Sequence, residues 1–452
     1  MSTTLPDVET VGSLEPVTRA ELVDYFHRGG KPASAWRVGA EFETFAIERA
    51  TGRAVGYDES GGIRDILQAL VDRFDWQPHY RGERLTLLSR GGATVSLEPG
   101  GQVEFSSPPV HHVGELATEV GRFRTEIRSV IDAKRVAVIA AGVTPFARVE
   151  DIPPPVRRRH ALMAEYLPAR CPMAKHMMLA TSSTQAAFDY ADEADAVRKF
   201  AVALTLGPVL NAIWGNSPLC GGEPTGWVSY RGRVWLGMDP DRSGLLSHLL
   251  AVGLSFDRWV DYLLDVPLLF VVRDGEYRPA GRSTFRDFLS RGLDGRFPTM
   301  ADWEVHLTTV FPEVRLKQFL EVRGADANPP PLALAVPAIW KGLLYDAEAL
   351  FAAGEIASHF SPADLPSVFE SASRRGLAAE HGGQKLLAWA GKLADIAADG
   401  LRRQAERSGH PDERPFLDPV FAVLDRGVSP GAALASGGGP FTPASVVPLL
   451  QC

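Results

Sequence analysis

The segment that most restricts the fold is VGAEFETF, Val38–Phe45, which is typical of a β-strand. Side chains alternate between the two faces of an extended chain, so Glu41 and Glu43 share one face. Neighbouring carboxylates repel each other and gain nothing from packing. A fold that pairs them therefore needs open water or a cation beside this strand.

Two further extended segments also carry carboxylates on a polar face. TVSLEPGGQVEFSSPP predicts a β-hairpin with one apolar and one polar face. The apolar face has Val95, Leu97, Val103 and Phe105, and the polar face has Ser96, Glu98, Gln102 and Glu104. VRLKQFLEVRGAD places Glu321 and Arg323 on a common face. If the three segments share a sheet, their carboxylates converge.

Converging carboxylates are hard oxygen ligands, which Mg²⁺ takes while it keeps positions for phosphate oxygens and water. For a single E-x-E pattern, a surface strand with solvated glutamates is the simpler interpretation. Repetition across three segments favours a metal site. Arg323 can hold a phosphate or a carboxylate through two parallel hydrogen bonds, and Arg231 in SYRGRVW can do the same for a substrate. A solvated arginine at a strand end is the alternative for each.

Composition and charge argue against several classes of protein. A net charge of −8 is unlike a nucleic-acid binder with a broad basic surface, and the run Arg157–His160 is too short to change that. Polar residues interrupt the apolar stretches Leu245–Phe256 and Val260–Val272, so neither provides the ~20 apolar residues of a membrane helix. Three scattered cysteines suit a reducing compartment. We expect a cytoplasmic protein without a membrane span or a nucleic-acid partner.

The chain has no internal repeat and no long linker, which favours one integrated α+β domain over residues 18–452. We expect residues 1–17 to form a flexible leader and the C-terminal part to be helical. GWVSYRGRVW is predicted to be a strand, and ASGGGPFTPASV a flexible tail. The common nucleotide-binding and hydrolase motifs are missing, among them the G-x-x-x-x-G-K-[ST] loop. If ATP binds, it therefore binds through metal ions on a sheet.

Three blocks resemble the plant and proteobacterial type of glutamate–cysteine ligase, also called γ-glutamylcysteine synthetase. VGAEFETF is similar to the family's G-x-E-x-E strand, and SLEPGGQVEFSSPP is similar to its S-L-E-P-G-G-Q-x-E-x-S signature. DWEVHLTTVFPEVRLKQFLEVRGAD is similar to its late block of glutamate and arginine. The resemblance runs from about Arg37 to beyond Asp346 and continues more weakly into the C-terminal helices.

The resemblance implies a glutamine-synthetase-like α+β fold, with a curved antiparallel sheet forming a funnel and helices packed outside. It implies that ATP drives the joining of the γ-carboxylate of glutamate to the amine of cysteine, with Mg²⁺ or Mn²⁺ as cofactor. The implied metal ligands are Glu41, Glu43, Glu98, Glu104 and Glu321. Arg231 and Gln185 are implied to bind substrate, Arg323 to bind the phosphate, and Arg323 and Glu321 to be catalytic.

The chain departs from the family in one block. The plant proteins have an arginine followed by T-C-T-V-Q-V-N-L-D, whereas this chain has Ala180 followed by TSSTQAAFDY. It keeps Gln185 and Asp189 but has Ala187 in place of the asparagine. A γ-glutamyl ligase for a different amine therefore remains an alternative, as do a guanidino phosphotransferase and a non-catalytic binding protein. The sequence does not determine the oligomeric state.

Overall fold

A computed structural model describes residues 15–132 and 135–452. Its strands are β1 (Val38–Glu48), β2 (Gln77–Arg81), β3 (Arg84–Arg90), β4 (Ala93–Leu97), β5 (Val103–Ser106), β6 (Val136–Ile139), β7 (Ser183–Phe188), β8 (Leu219–Cys220) and β9 (Glu223–Pro224). They continue with β10 (Ser243–Gly244), β11 (Phe270–Arg273), β12 (Glu276–Pro279), β13 (Phe311–Pro312), β14 (Val314–Leu316), β15 (Leu320–Asp326), β16 (Glu380–His381) and β17 (Gln384–Lys385).

The helices of the first half are α1 (Arg19–His27), α2 (Ile63–Arg73), α3 (Val113–Val130), α4 (Arg158–Tyr166), α5 (Ala174–Ala180), α6 (Glu193–Trp214) and α7 (Tyr230–Leu236). Next come α8 (Ser247–Val252), α9 (Phe256–Asp265), α10 (Phe285–Arg291) and α11 (Met300–Leu307). The last are α12 (Ala335–Leu344), α13 (Ala347–Ala357), α14 (Leu365–Arg375), α15 (Leu386–Ser408), α16 (Asp418–Arg426), α17 (Pro430–Ser436) and α18 (Pro443–Leu450).

The described residues build one nine-stranded sheet in the order β14-β15-β7-β1-β5-β4-β3-β2, with β6 also paired to β1. All of these pairs are antiparallel. The three acid-bearing segments therefore do share a sheet, since β1, the hairpin β4–β5 and β15 all belong to it. β7 lies between β15 and β1. The apolar face of the predicted hairpin is buried as expected, and the predicted fold class is confirmed.

Helices α6 and α12 pack against the strands β15 and β7. Asp192 caps α6 by accepting a hydrogen bond from the Asp195 backbone N–H at 2.9 Å. With 22 residues, α6 is the one helix in the described part of the chain that is long and apolar enough to cross a membrane. However, 72% of its most apolar window is buried inside the fold, which is the position of a core helix.

Two local predictions are wrong. GWVSYRGRVW contains the helix α7 instead of a strand. The Ser229 hydroxyl caps this helix by accepting a hydrogen bond from the Gly232 N–H, and Arg231 and Val234, three residues apart, are both buried. The predicted tail ASGGGPFTPASV includes the start of α18, whose apolar side chains pack with those of β1 and β6. Tertiary packing overrides the local glycine signal there.

The ends of two predicted segments are only partly described. Most of the predicted leader, residues 1–14, lies outside the described residues. Val17, at its end, is buried, and its backbone N–H donates to the carbonyl of Pro298 at 2.8 Å. The apolar spacing of residues 116–134 also predicts a helix; in the structure this helix is α3, which ends at Val130, and residue 134 lies outside the described residues. The division into a leader and one domain stays a prediction.

Candidate active site

A pocket enclosing about 900 Å³ of empty space, open solvent included, lies over the face of the sheet that carries the acidic side chains. The lining comes from the sheet, from α4, α5 and α7, and from the loops between them. The lining residues are Glu43, Glu98, Pro99, Gln102, Glu104, Arg157, Arg159, His160, Met163, Met177, Met178, Thr181, Ser183, Gln185, Arg231, Trp235, Thr308, Phe311, Arg315 and Arg323.

The strand register brings the predicted carboxylates of β1 and β5 together. Glu43 lies directly opposite Glu104, and Glu41 lies opposite Gln185 of β7. Glu98 follows the end of β4, and its backbone N–H donates to the carbonyl of Gln102 at 3.0 Å in the hairpin turn. Glu43, Glu98 and Glu104 line the pocket, and Glu41, which does not line it, acts electrostatically on Glu98 and Glu104. These four glutamates are called the acidic floor: Glu41, Glu43, Glu98 and Glu104.

The hairpin turn is held against α5 by close contact. Gly101 has a φ of +81°, which only glycine adopts easily. A Cβ on Gly100 would lie 2.1 Å from the carbonyl oxygen of Leu179, so that position has no room for a side chain. The Gln102 amide donates to the carbonyl of Thr181 at 2.7 Å. These contacts hold the hairpin that carries Glu98.

Neutral polar groups solvate two of the floor carboxylates. The hydroxyls of Ser96 and Ser106 both donate to Glu104 Oε1 at 3.1 Å. Glu43 accepts a hydrogen bond from the Ser183 backbone N–H at 2.8 Å and another from the Gln185 amide at 2.9 Å. None of these hydrogen bonds brings a compensating positive charge to the carboxylates.

Burial and mutual repulsion make the acidic floor unfavourable without a cation. Burial raises the pKa of Glu104 well above its usual range, and the charges of Glu41, Glu98 and Glu43 raise it further. Burial and the Glu98 charge raise the pKa of Glu43 to about 7. Burial also raises the pKa of Glu98, against the opposing charges of Arg157 and Arg159. Ionisation of these carboxylates is therefore unfavourable in the metal-free protein, and a bound cation would offset their negative charge.

This electrostatic arrangement predicts an unusual dependence of stability on pH. The folded pKa of Glu43 lies above the unfolded value of 4.5, so the folded state binds this proton more tightly. The free energy of unfolding should therefore fall as the pH rises from about 4.5 to about 7, by at most about 3 kcal/mol from this group. Urea unfolding in metal-free buffer measures the effect. Glu43→Gln should flatten the dependence of the free energy of unfolding on pH. If the variant keeps the wild-type dependence, Glu43 is not its source.

Glu321 differs from the other predicted metal ligands because it is already paired. The Arg315 guanidinium donates to its Oε2 at 2.6 Å, and the Arg323 guanidinium lies 3.4 Å from the same atom. Burial alone would raise the pKa of Glu321, but the charges of Arg315, Lys317 and Arg323 outweigh burial and hold the pKa well below its usual range. As the structure stands, Glu321 is the anion of a buried ion-pair cluster.

Arg323 shares a face with Glu321, as predicted from their spacing. Its guanidinium also donates to the Gln185 amide oxygen at 2.5 Å. Because the same amide donates to Glu43, Gln185 links the arginine to the acidic floor. Arg323 and Gln185 both line the pocket.

Arg231 lines the pocket, but on α7 and with its two terminal nitrogens in use. Nη1 donates to the carbonyl of Gly324 and Nη2 to the carbonyl of Arg323, both at 2.9 Å. The predicted strand position is wrong. The guanidinium was expected to bind a substrate carboxylate through two hydrogen bonds, but both terminal nitrogens donate to the backbone of β15 instead. Its positive charge nevertheless borders the pocket.

The basic side of the pocket was not predicted from the sequence. Arg157, immediately before α4, and Arg159, in its first turn, both line the pocket and act electrostatically on Glu98. The Arg159 guanidinium also donates to the hydroxyl of Thr308 at 3.2 Å. Trp235 adds a buried indole N–H that has no acceptor among the described residues. The run Arg157–His160 was the available signal, but its position relative to the sheet depends on tertiary folding.

The donor chemistry of the acidic floor fits Mg²⁺, because its four side chains are all carboxylates whose charges repel one another. Within residues 15–132 and 135–452, however, no three His, Cys, Asp or Glu side chains are placed to hold one metal ion. Coordination therefore requires the floor carboxylates to turn from their serine and glutamine partners toward a common ion. The predicted metal set stays a prediction.

Comparison with known proteins agrees with this architecture. The sequence profile of glutamate–cysteine ligase family 2 (GCS2) matches residues 37–440. The chain is 36% identical over 432 residues to the chloroplastic glutamate–cysteine ligase of Brassica juncea, and the match covers 95% of this chain and 82% of that protein. The Arabidopsis thaliana enzyme is also 36% identical, with 95% and 81% covered.

A solved structure gives independent support for the fold. The glutamate–cysteine ligase of Francisella tularensis, in complex with AMP, matches with a TM-score of 0.55 at 12% identity, covering 92% of this chain and 87% of that one. The fold is that of the glutamine-synthetase-like ligases. The chain belongs to glutamate–cysteine ligase family 2. The recognition of this family, and with it the prediction of a glutamate–cysteine ligase, is confirmed.

Proposed function

We propose that this pocket joins the γ-carboxylate of L-glutamate to the amine of L-cysteine, with ATP consumed and γ-glutamyl phosphate as intermediate. The observation that carries the proposal is the acidic floor together with the five arginines that line the same pocket: Arg157, Arg159, Arg231, Arg315 and Arg323. Phosphoryl transfer needs both features, because cations must neutralise the nucleotide phosphates while arginines orient the transferred group. The named relatives are ligases of this type, and one was solved with AMP.

The floor glutamates Glu41, Glu43, Glu98 and Glu104 would hold Mg²⁺, which Mn²⁺ can replace. When bound, the ion offsets the charge of the phosphates and of the floor itself. Glu321 would join this set only by leaving Arg315, so its ion pair favours a supporting role. Arg323 would orient the transferred phosphoryl group, since a planar guanidinium matches phosphate oxygens.

The reaction has two bond-forming steps. An oxygen of the glutamate γ-carboxylate attacks the γ-phosphorus of ATP, and ADP leaves. The cysteine nitrogen then attacks the acyl carbon, an amide bond forms, phosphate leaves and the nitrogen loses a proton. Arg231 and Arg159 would supply positive charge for the carboxylates of glutamate, and Gln185 would hold Arg323 in place. The walls of the pocket would keep water from the acyl phosphate.

The decisive experiment measures ADP release with glutamate and a panel of amines. We expect release to require glutamate and a divalent cation together, and to be stimulated most by cysteine, with γ-glutamylcysteine detected by mass spectrometry. Product with another amine only would overturn the choice of cysteine and keep the ligase class. Phosphate transfer to a guanidino compound without amide formation would favour the phosphotransferase alternative. Absence of ATP consumption with every amine would leave the binding-protein alternative.

The departures from the plant sequence motivate this panel. Ala187 is buried in β7 opposite Glu321, so it offers no side-chain polar group near the centre of the sheet.

We also propose a cytoplasmic location. Its support is the set of three unpaired, scattered thiols, which suit a reducing compartment. The named plant relatives, by contrast, are chloroplastic.

A further inference from the structure

A buried carboxylate outside the pocket lining binds the segments that lead into α7. Asp326, the last residue of β15, is 1% exposed. Its Oδ2 accepts hydrogen bonds from the Asn216 backbone N–H at 2.9 Å and from the Ser217 hydroxyl at 2.7 Å. Its Oδ1 accepts one from the Ser229 hydroxyl at 2.8 Å. Both oxygens are therefore used, and every donor is neutral.

The two serines connect Asp326 to the first turn of α7. The Ser217 oxygen accepts a hydrogen bond from the Arg231 backbone N–H at 3.1 Å. The Ser229 oxygen caps the helix by accepting one from the Gly232 N–H at 3.1 Å. Each hydroxyl thus donates to the carboxylate and accepts from the helix, so the position of Asp326 determines where the helix begins.

The side chain of Arg231 completes a ring of contacts that runs from Asp326 through Ser217 and Ser229 to α7 and back to β15. Its guanidinium reaches back to β15 and donates to the carbonyls of Arg323 and Gly324, three and two residues before Asp326. The register of β15 against β7 shifts in this same stretch, between Val322 and the residues that follow. The ring therefore joins α7 to the irregular part of the strand that carries Arg323 into the pocket.

The ring has little freedom to relax. A Cβ on Gly142 would lie 2.3 Å from Asp326 Cγ, so the backbone of residue 142 packs directly against the carboxylate. Burial raises the pKa of Asp326, while the charge of Arg231 opposes that rise. The carboxylate is therefore confined on one side by the backbone and linked on the other to the arginine.

We propose that Asp326 is a positioning residue for ligation, which orients Arg231 at the edge of the pocket. The proposal rests on the proposed function of the pocket. Charges that are already oriented bind a substrate without a further ordering cost. Disorder in this ring should therefore weaken the binding of glutamate more than the binding of ATP.

The test is Asp326→Asn, which keeps size but replaces an acceptor oxygen with a donor. We expect the KM for glutamate to rise about 10-fold, with the KM for ATP changed less than about 2-fold. Calorimetry should give a matching rise in the Kd for glutamate. The matched control is Asp302→Asn, which removes a buried carboxylate that caps α11 and bonds Arg273 at 2.6 Å, away from the pocket. It should lower the Tm and leave both KM values unchanged.

A double-mutant cycle with Arg231→Lys tests the route of the effect. If Asp326 acts through Arg231, Asp326→Asn should raise the KM no further in the Arg231→Lys background. Effects that multiply would overturn the proposal, as would a loss of Tm and kcat in Asp326→Asn without a change in KM or Kd.

Should Asp326→Asn not fold, Ser217→Ala provides a milder test because it breaks a single link. This variant should raise the glutamate Kd about 3-fold, and an unchanged Kd would also overturn the proposal. Failure of the proposed function is distinct, because wild type would then release no ADP with glutamate and any amine.

Discussion

Glu104→Gln is expected to lower ligase activity about 100-fold while leaving the metal-free protein at least as stable as wild type. Glu104 lies opposite Glu43 at the centre of the acidic floor, and burial together with three neighbouring carboxylates raises its pKa. The amide carbonyl can still accept from Ser96 and Ser106, whereas the unfavourable charge is gone. Stability and activity should therefore change in opposite directions, as at many functional sites.

The measurements are ADP release at saturating substrates and the Tm in metal-free buffer. The matched control is Glu126→Gln on α3, a buried carboxylate outside the pocket that accepts from Arg90 at 2.8 Å and from Trp76 at 3.0 Å. Because Glu126 is paired with a cation, its neutralisation should lower the Tm and spare the activity. A Glu104→Gln variant that is active, or that unfolds at a lower temperature than wild type, would contradict the repulsive floor.

Glu321→Gln is expected to lower the free energy of unfolding by about 3–5 kcal/mol, because it leaves buried cations without their anion. Arg315 and Lys317 are both buried and face this carboxylate. Since the pKa of Glu321 is depressed in the folded protein, its contribution is present above the unfolded pKa of 4.5 and is lost as the pH falls below it. Wild type and variant should therefore converge in stability on acidification.

Urea unfolding between about pH 3 and pH 8 measures this difference. Adding Arg315→Gln to Glu321→Gln should cost less than the sum of the two single changes, because the pair is removed together. Arg323→Lys serves as the control for charge, since it keeps the cation and should spare stability while reducing the rate. A fully stable Glu321→Gln protein whose metal requirement is weakened would instead return Glu321 to the metal site.

The alternation of side chains was enough to predict the acidic floor. In an extended strand the period of two is a local property, so VGAEFETF places Glu41 and Glu43 on one face whatever surrounds it. The hairpin followed from the same rule, and its apolar face is buried as predicted. The family followed from long matching blocks, and profile and relatives confirm it.

The local pattern failed where long-range contacts decide the outcome. GWVSYRGRVW alternates like a strand, but Asp326, almost a hundred residues later, and the Ser229 cap determine that α7 begins there. The tail was judged from its glycines, although α18 gains a binding surface on β1 and β6 that only the folded sheet provides.

By itself the sequence determined the family, the fold class and which carboxylates share a face, because these depend on long matched blocks and on local backbone geometry. The tertiary structure alone decided which charges meet. It paired Glu321 with Arg315, directed the Arg231 guanidinium to the backbone of β15, and brought Arg157 and Arg159 at the start of the α4 segment close enough to act on Glu98. The physical reason is that the energy of a charge depends on its burial and on partners from distant segments, and neither exists until the chain has folded.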